Sequence, residues 1–131
     1  VNPFQRIRKD HSQETAEDYV ELIQTLIEES GEARAVDLAA RLGISPVTVT
    51  QTIRRLIKEG YVTSEPYRSI FLTEKGKEVA DYSRRRHVTV LGFLKAIGVP
   101  EEVAEHDSEG MEHHASPETL RAMERFLASK P

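Results

Sequence analysis

Apolar positions along the chain fall into two spacings, one near 3.6 residues and one near 2, and these divide the sequence into elements. Residues 17–30 place Tyr19, Leu22, Ile23, Leu26 and Ile27 at i, i+3, i+4, i+7 and i+8, the stripe of an amphipathic helix that Gly31 ends. A second helix is predicted over 35–42, with Ala35, Leu38, Ala39 and Leu42 inward and Gly43 as its stop. In "GISPVTVTQTIRRLIKEG", Ser45 is a good N-cap, Pro46 suits a first helical position whose N–H needs no partner, and Gly60 closes the segment. Val49, Ile53, Leu56 and Ile57 form the expected buried stripe of this third helix, which leaves Thr48, Gln51, Arg54, Arg55 and Lys58 outward.

"YVTSEPYRSIFLTEKG" changes period and is rich in β-branched and aromatic residues on both sides of "EPYRS", so a small hairpin with its tip near 66–69 is expected. Thr73 is placed to cap a long helix over about 74–97, whose second half keeps Val90, Leu91, Leu94 and Ile97 on one stripe until "GVP" breaks it. Two shorter helices follow, over about 100–114 and 117–128, the last bearing Leu120, Met123, Phe126 and Leu127. Two helices joined by a tight Gly turn, a polar outer face on the second, and then a hairpin describe a winged helix-turn-helix. The fold class is therefore mainly α. A flexible N-terminal arm is expected over 1–14, a winged helix-turn-helix DNA-binding domain over 15–75, and a helical dimerisation domain over 76–131, to which the acidic histidine segment described below adds metal binding as an expectation. The C-terminal stripes exceed what a short helical tail buries internally, so a homodimer is expected.

A helix that enters the major groove needs short donors and acceptors for base edges and cations for phosphates. Ser45 and Pro46 open the reading helix, Thr48, Thr50 and Gln51 supply the base-reading groups, and Arg54, Arg55 and the wing-tip Arg68 supply the cations. The plainer alternative is a helical hairpin whose polar face is merely solvated.

Charge refines this picture. The net charge of -4 argues against a protein that coats nucleic acid indiscriminately, because that requires a concentrated basic surface. Between Glu101 and Glu112 stand six acids and no Lys or Arg. Within that run Glu109, Glu112 and His113 occupy i, i+3 and i+4, so on a helix two carboxylates and one imidazole converge. Such a triplet is either a metal-ligand group or a solvated charged face. Asp18 and Glu21, also i and i+3, lie beside the apolar stripe of the first helix and are placed to meet it if the helices pack together. His87 follows "RRR" and precedes an apolar run, where a histidine is either a ligand or a half-buried hydrogen-bonded group. There are no cysteines, so any metal takes nitrogen and oxygen ligands, and disulfides and thiolate nucleophiles are excluded. No apolar run is long enough to cross a membrane and the start lacks the core of a signal peptide, so a cytoplasmic protein without a membrane partner is expected.

The order of "EDYVELI", a winged helix, "RRH" and "EGMEHH" resembles the diphtheria-toxin-repressor family of metal-dependent transcriptional regulators, in its manganese-responsive branch. The similarity runs from about residue 15 to 127. The resemblance implies a transcriptional repressor of manganese uptake genes that acts as a homodimer on double-stranded DNA with an inverted-repeat operator. It also implies two Mn(II) ions per subunit, held by Asp18, Glu21, His87, Glu109, Glu112 and His113. Iron-responsive relatives typically carry Met at the position of Asp18 and Cys at that of Glu109, and hard carboxylates in their place suit Mn(II). Larger members add an SH3-like domain, which is not expected within residues 1–131. Two other classes remain open: a metal-dependent hydrolase built on the same carboxylates and histidines, and a winged-helix regulator that answers to an organic ligand.

Overall fold

A computed structural model describes residues 3–64 and 69–129. Its elements in chain order are α1 (Pro3–Ser30), α2 (Ala35–Leu42), α3 (Pro46–Lys58), β1 (Val62–Ser64), β2 (Ile70–Leu72), α4 (Glu74–Ala96), α5 (Glu101–Glu112) and α6 (Pro117–Ser129). Two compact units divide after Asp81, inside α4 rather than at its start. Helix α1 begins at Pro3, so residues 3–14, within the expected flexible arm, have helical backbone. Among the described residues no helix is long and apolar enough to cross a membrane.

The first unit is built on the stripes read from the sequence. Tyr19, Val20, Ile23 and Leu26 of α1 are buried with Leu38 and Ala39 of α2 and with Val49, Ile53 and Leu56 of α3, while Leu22 and Ile27 pack at the edge. Ile57 departs from the expected stripe and is 40% exposed. The reason is geometric: each helical residue turns the chain by about 100°, so position i+8 falls about 80° from Val49, past the edge of the buried face. Gly43 takes φ of 69°, a left-handed conformation that costs glycine little, and its N–H reaches the Ala39 carbonyl at 2.9 Å. That turn redirects the chain into α3. Ser45 then caps α3 by accepting the Thr48 N–H at 3.2 Å, with Pro46 as its first residue. Strands β1 and β2 pair antiparallel, Val62 with Leu72, Thr63 with Phe71 and Ser64 with Ile70. The Ile70 N–H reaches the Ala33 carbonyl at 2.7 Å, which fixes the hairpin base to the segment before α2. Of the expected hairpin tip at 66–69, residues 66–68 lie outside the described residues.

The start of α4 locks onto the end of the reading-head motif. The Thr73 hydroxyl accepts the Gly76 N–H at 3.1 Å as an N-cap and donates to the Gly60 carbonyl at 2.6 Å. Gly76 is buried directly against the Tyr61 carbonyl: a Cβ there would stand 2.1 Å from that oxygen. In the second unit Val90 and Leu94 of α4, Ala104 of α5 and Leu120 of α6 form the core, and Leu91, Val99, Ala115 and Met123 pack against it. Phe93 and Phe126 meet edge to face at 5.4 Å. Ile97 and Phe126, expected on the apolar stripes, remain 54% and 39% exposed in the single chain.

The two kinds of glycine give opposite expectations. Gly76→Ala forces a methyl group into a backbone oxygen and is expected to destabilise the protein by about 3 kcal/mol or more. At Gly110, in the last turn of α5, an added Cβ meets nothing within 4 Å, and Gly110→Ala is expected to stabilise by up to about 0.5–1 kcal/mol. Urea denaturation of the two variants beside the parent checks both signs.

Candidate metal centre and nucleic-acid interface

The outer face of α3 carries most of the expected DNA-reading residues. Ser45, Pro46, Thr48, Thr50, Gln51 and Arg54 are all exposed. Some of their groups are already engaged by the helix itself. The Ser45 and Thr48 hydroxyls lie 2.9 Å apart at the cap, and the Thr50 hydroxyl donates to the Pro46 carbonyl at 2.9 Å. Arg55 is only half-exposed, because its guanidinium donates to the Ser12 carbonyl at 3.2 Å and pairs with Glu59 at 3.6 Å. It therefore ties α3 to α1 as well as adding positive charge. Arg68 lies outside the described residues. Val47, which is not among the residues expected to read DNA, is 66% exposed at the second position of α3. Its signal was available: an apolar residue off the Val49, Ile53 and Leu56 stripe has no core to enter.

The six candidate ligands divide between the units. Asp18, exposed, and Glu21, half-buried, stand one turn apart on α1 in the first unit. His87 on α4, Glu109 and Glu112 on α5, and His113 at the end of α5 belong to the second. Among the described residues no group of three or more His, Asp and Glu side chains is gathered into a ready-made coordination set. What the second unit does bring together is a chain of contacts centred on Glu112. The His87 Nδ1 lies 2.7 Å from Glu112 Oε2, and the His113 Nε2 lies 3.9 Å from Glu112 Oε1. To the ionised carboxylate, which only accepts, His87 donates its Nδ1–H, and the neutral ring then keeps a lone pair on Nε2. Glu109 is exposed. His106, paired with Asp107 at 3.1 Å, and His114 are also exposed.

Glu112 is 5% exposed. Burial raises its carboxyl above the ordinary value, against the opposing pull of His87, His113 and Arg86. A desolvated carboxylate of this kind calls for a cation, and it and the two histidines beside it offer carboxylate oxygen and imidazole nitrogen without sulfur. The residues present therefore fit a hard divalent ion such as Mn(II).

Residues 11–70 match the N-terminal DNA binding domain of the iron dependent repressors, and residues 73–130 match their metal binding and dimerisation domain. Over 126 residues the chain is 49% identical to the transcriptional regulator MntR of Escherichia coli O6:H1, covering 96% of this chain and 81% of that one. The chain belongs to the iron-dependent repressor family. Its resemblance to metal-dependent regulators is thereby established, and the matched domains are those of transcriptional regulators rather than of an enzyme, which removes the hydrolase alternative. It is also 45% identical over 100 residues to the HTH-type transcriptional regulator MntR of Bacillus subtilis, covering 76% of this chain and 70% of that one. Among solved structures it superposes on a manganese-dependent transcriptional repressor in complex with manganese with a TM-score of 0.77 and 27% identity, covering 88% of this chain. It spans 53% of the length of that solved chain.

The raised pKa of Glu112 gives the metal-free protein a signed pH dependence. A carboxyl whose folded-state pKa lies above its unfolded value contributes most stability below the unfolded value, and that contribution is lost as pH rises through the folded one. Near neutral pH the metal-free fold therefore carries the cost of ionising a buried group. Glu112→Gln, which removes that cost while keeping an oxygen for His87, is expected to gain stability relative to the parent on going from acid to neutral pH. Thermal denaturation in chelator across that range measures the difference, which burial predicts to grow with pH.

Proposed function

We propose that the chain is a Mn(II)-responsive, homodimeric DNA-binding repressor of manganese uptake genes, acting in the cytoplasm on an inverted-repeat operator. The observation that carries this reading is the buried Glu112 carboxylate between two imidazoles in a unit that belongs to a metal-binding and dimerisation domain. Asp18, Glu21, His87, Glu109, Glu112 and His113 would hold the metal, two ions per subunit. When bound, Mn(II) supplies positive charge and an oxygen-rich coordination shell that carboxylates from separate helices can share.

The residues then have separable tasks. Glu112 and His87 offer a preoriented carboxylate and ring nitrogen from the second unit. Asp18 and Glu21 offer carboxylates from α1, the same helix whose Ser12 carbonyl receives the Arg55 guanidinium of α3. Ordering α1 thus bears directly on the reading helix. On α3, Gln51 offers a bidentate amide to a base edge, Thr48 and Thr50 offer hydroxyl oxygens, Val47 offers methyl groups to a thymine methyl, and Arg54 offers a phosphate contact. Exposed Val88, Ile97, Val103 and Phe126 on the second unit provide apolar surface for a second copy. Paired reading helices would then meet successive major grooves about 34 Å apart.

A regulator answering to an organic ligand through the same winged helix would bind DNA equally with and without metal. Titration of operator DNA at fixed salt, in Mn(II) and in chelator, distinguishes the two. The expected gain in affinity with Mn(II) is on the order of 5- to 150-fold, the usual range of coupling between sites, and chelator reverses it. Equal affinity in the two conditions would sink the metal-responsive reading.

A further inference from the structure

Arg86 is an unusual neighbour for a metal-binding carboxylate. It precedes His87 on α4 and is 5% exposed. Its guanidinium Nη2 lies 3.1 Å from His113 Nδ1, and its charge is felt by Glu112. An arginine in a protein stays protonated and has only donors, so the hydrogen bond to His113 runs one way: Arg86 gives the proton and Nδ1 accepts it with its lone pair. The neutral ring therefore carries its own proton on Nε2.

That arrangement excludes metal ligation by His113. A neutral imidazole that binds a metal through Nε2 carries its proton on Nδ1, where it would face the N–H of Arg86, donor against donor. A ring that binds through Nδ1 uses the lone pair that Arg86 now occupies. In either case the guanidinium has to leave before His113 can serve. It has a place to go. Arg86 also lines a cavity of about 240 Å³ between α4 and α6, with Tyr82, Arg85, Thr89, Leu120 and Glu124 on its walls. The Tyr82 ring is already 5.5 Å from the Arg86 guanidinium carbon, within cation–π reach, and the Glu124 carboxylate on the same cavity wall receives a single Arg85 nitrogen, Nη2, at 2.8 and 3.0 Å from its two oxygens, which leaves each oxygen a further lone pair for a second guanidinium.

We infer that Arg86 is a built-in placeholder cation, which holds His113 beside the buried Glu112 in the metal-free state and must withdraw toward the Tyr82 and Glu124 cavity when metal binds, so that it sets the metal concentration at which the protein responds. The inference rests on the metal-responsive reading and deepens it. It also explains how a buried carboxylate is tolerated without metal: Arg86 supplies opposing charge until a divalent ion replaces it. A purely structural arginine would have the reverse consequence, since removing it would loosen the ligands and weaken metal binding.

The test compares the parent with Arg86→Met, which keeps the bulk and removes the charge, and with Arg86→Lys, which keeps the charge but loses the planar fork. Mn(II) affinity is read directly from the electron paramagnetic resonance of the free ion, and the melting temperature is measured in chelator. Arg86→Met is expected to bind Mn(II) roughly tenfold more tightly, the scale of one lost charge-assisted hydrogen bond in the competing state, while melting lower without metal. Arg86→Lys, the more conservative change, should fall between. In the metal-free parent, nitrogen NMR of His113 should show the Nε2-protonated tautomer. Unchanged or weaker Mn(II) binding in Arg86→Met, or in Arg86→Lys if the first variant does not fold, overturns the placeholder while leaving the metal site standing. A parent that takes up no Mn(II) overturns the metal-responsive reading and the placeholder with it.

Discussion

A carboxylate held at 5% exposure has to be matched by positive charge, and in the second unit that demand at Glu112 organises everything around it. His87 approaches one oxygen to 2.7 Å from α4, His113 stands by the other from the end of α5, and Arg86 reaches in beside them. An apolar side chain at position 112 would pack more cheaply in the metal-free state. In the proposed mechanism the carboxylate meets a cation there, and the cost of keeping it without one would give the site its responsiveness: a group destabilised in the empty state returns that free energy when an ion binds.

The same logic links charge to DNA reading through ordinary packing. Helix α3 presents an exposed polar face because its apolar stripe is used up on α1 and α2, and because Ser45 and Gly43 fix where it starts. Arg55 shows how closely the two tasks are joined, since a residue with the charge of a phosphate contact holds its guanidinium on the α1 backbone. In the proposed mechanism the α1 carboxylates Asp18 and Glu21 connect this reading head to the ions, so that ligation restrains the helix on which α3 rests. Selection for manganese then comes from ligand hardness and number rather than raw affinity, because softer first-row ions bind most nitrogen and oxygen sites more tightly.

Much of this was legible in the sequence because it depends on local rules. The α2 boundaries, the Ser45 cap, the Gly43 turn and the hairpin strands follow from periodicity and from residues with one favoured conformation, and they appear in the structure where those rules put them. Ile57 was misread because a stripe one residue too wide looks the same in sequence, and only the 40% exposure shows where the buried face ends. The helical course of residues 3–14 carries no apolar stripe to announce it. Arg86 was hidden for a different reason: among "RRR" nothing local distinguishes the arginine that turns inward, and its partner His113 lies on another helix. The nearness of Glu112 to His87 was legible through the family resemblance, not from spacing, since no rule of a single helix connects α4 with α5.

The central claim is that one set of ligands draws on α1 as well as on the second unit. The most direct measurement is Mn(II) binding, followed by the resonance of the free ion, in a variant that carries both Asp18→Ala and Glu21→Ala. The account predicts that this protein, folded as the parent is by circular dichroism, loses most of its Mn(II) binding although His87, Glu109, Glu112 and His113 are intact. Parent-like affinity and stoichiometry in the double variant would contradict it, because the ions would then be held by the second unit alone and ligation would place no restraint on the helix beneath the reading head.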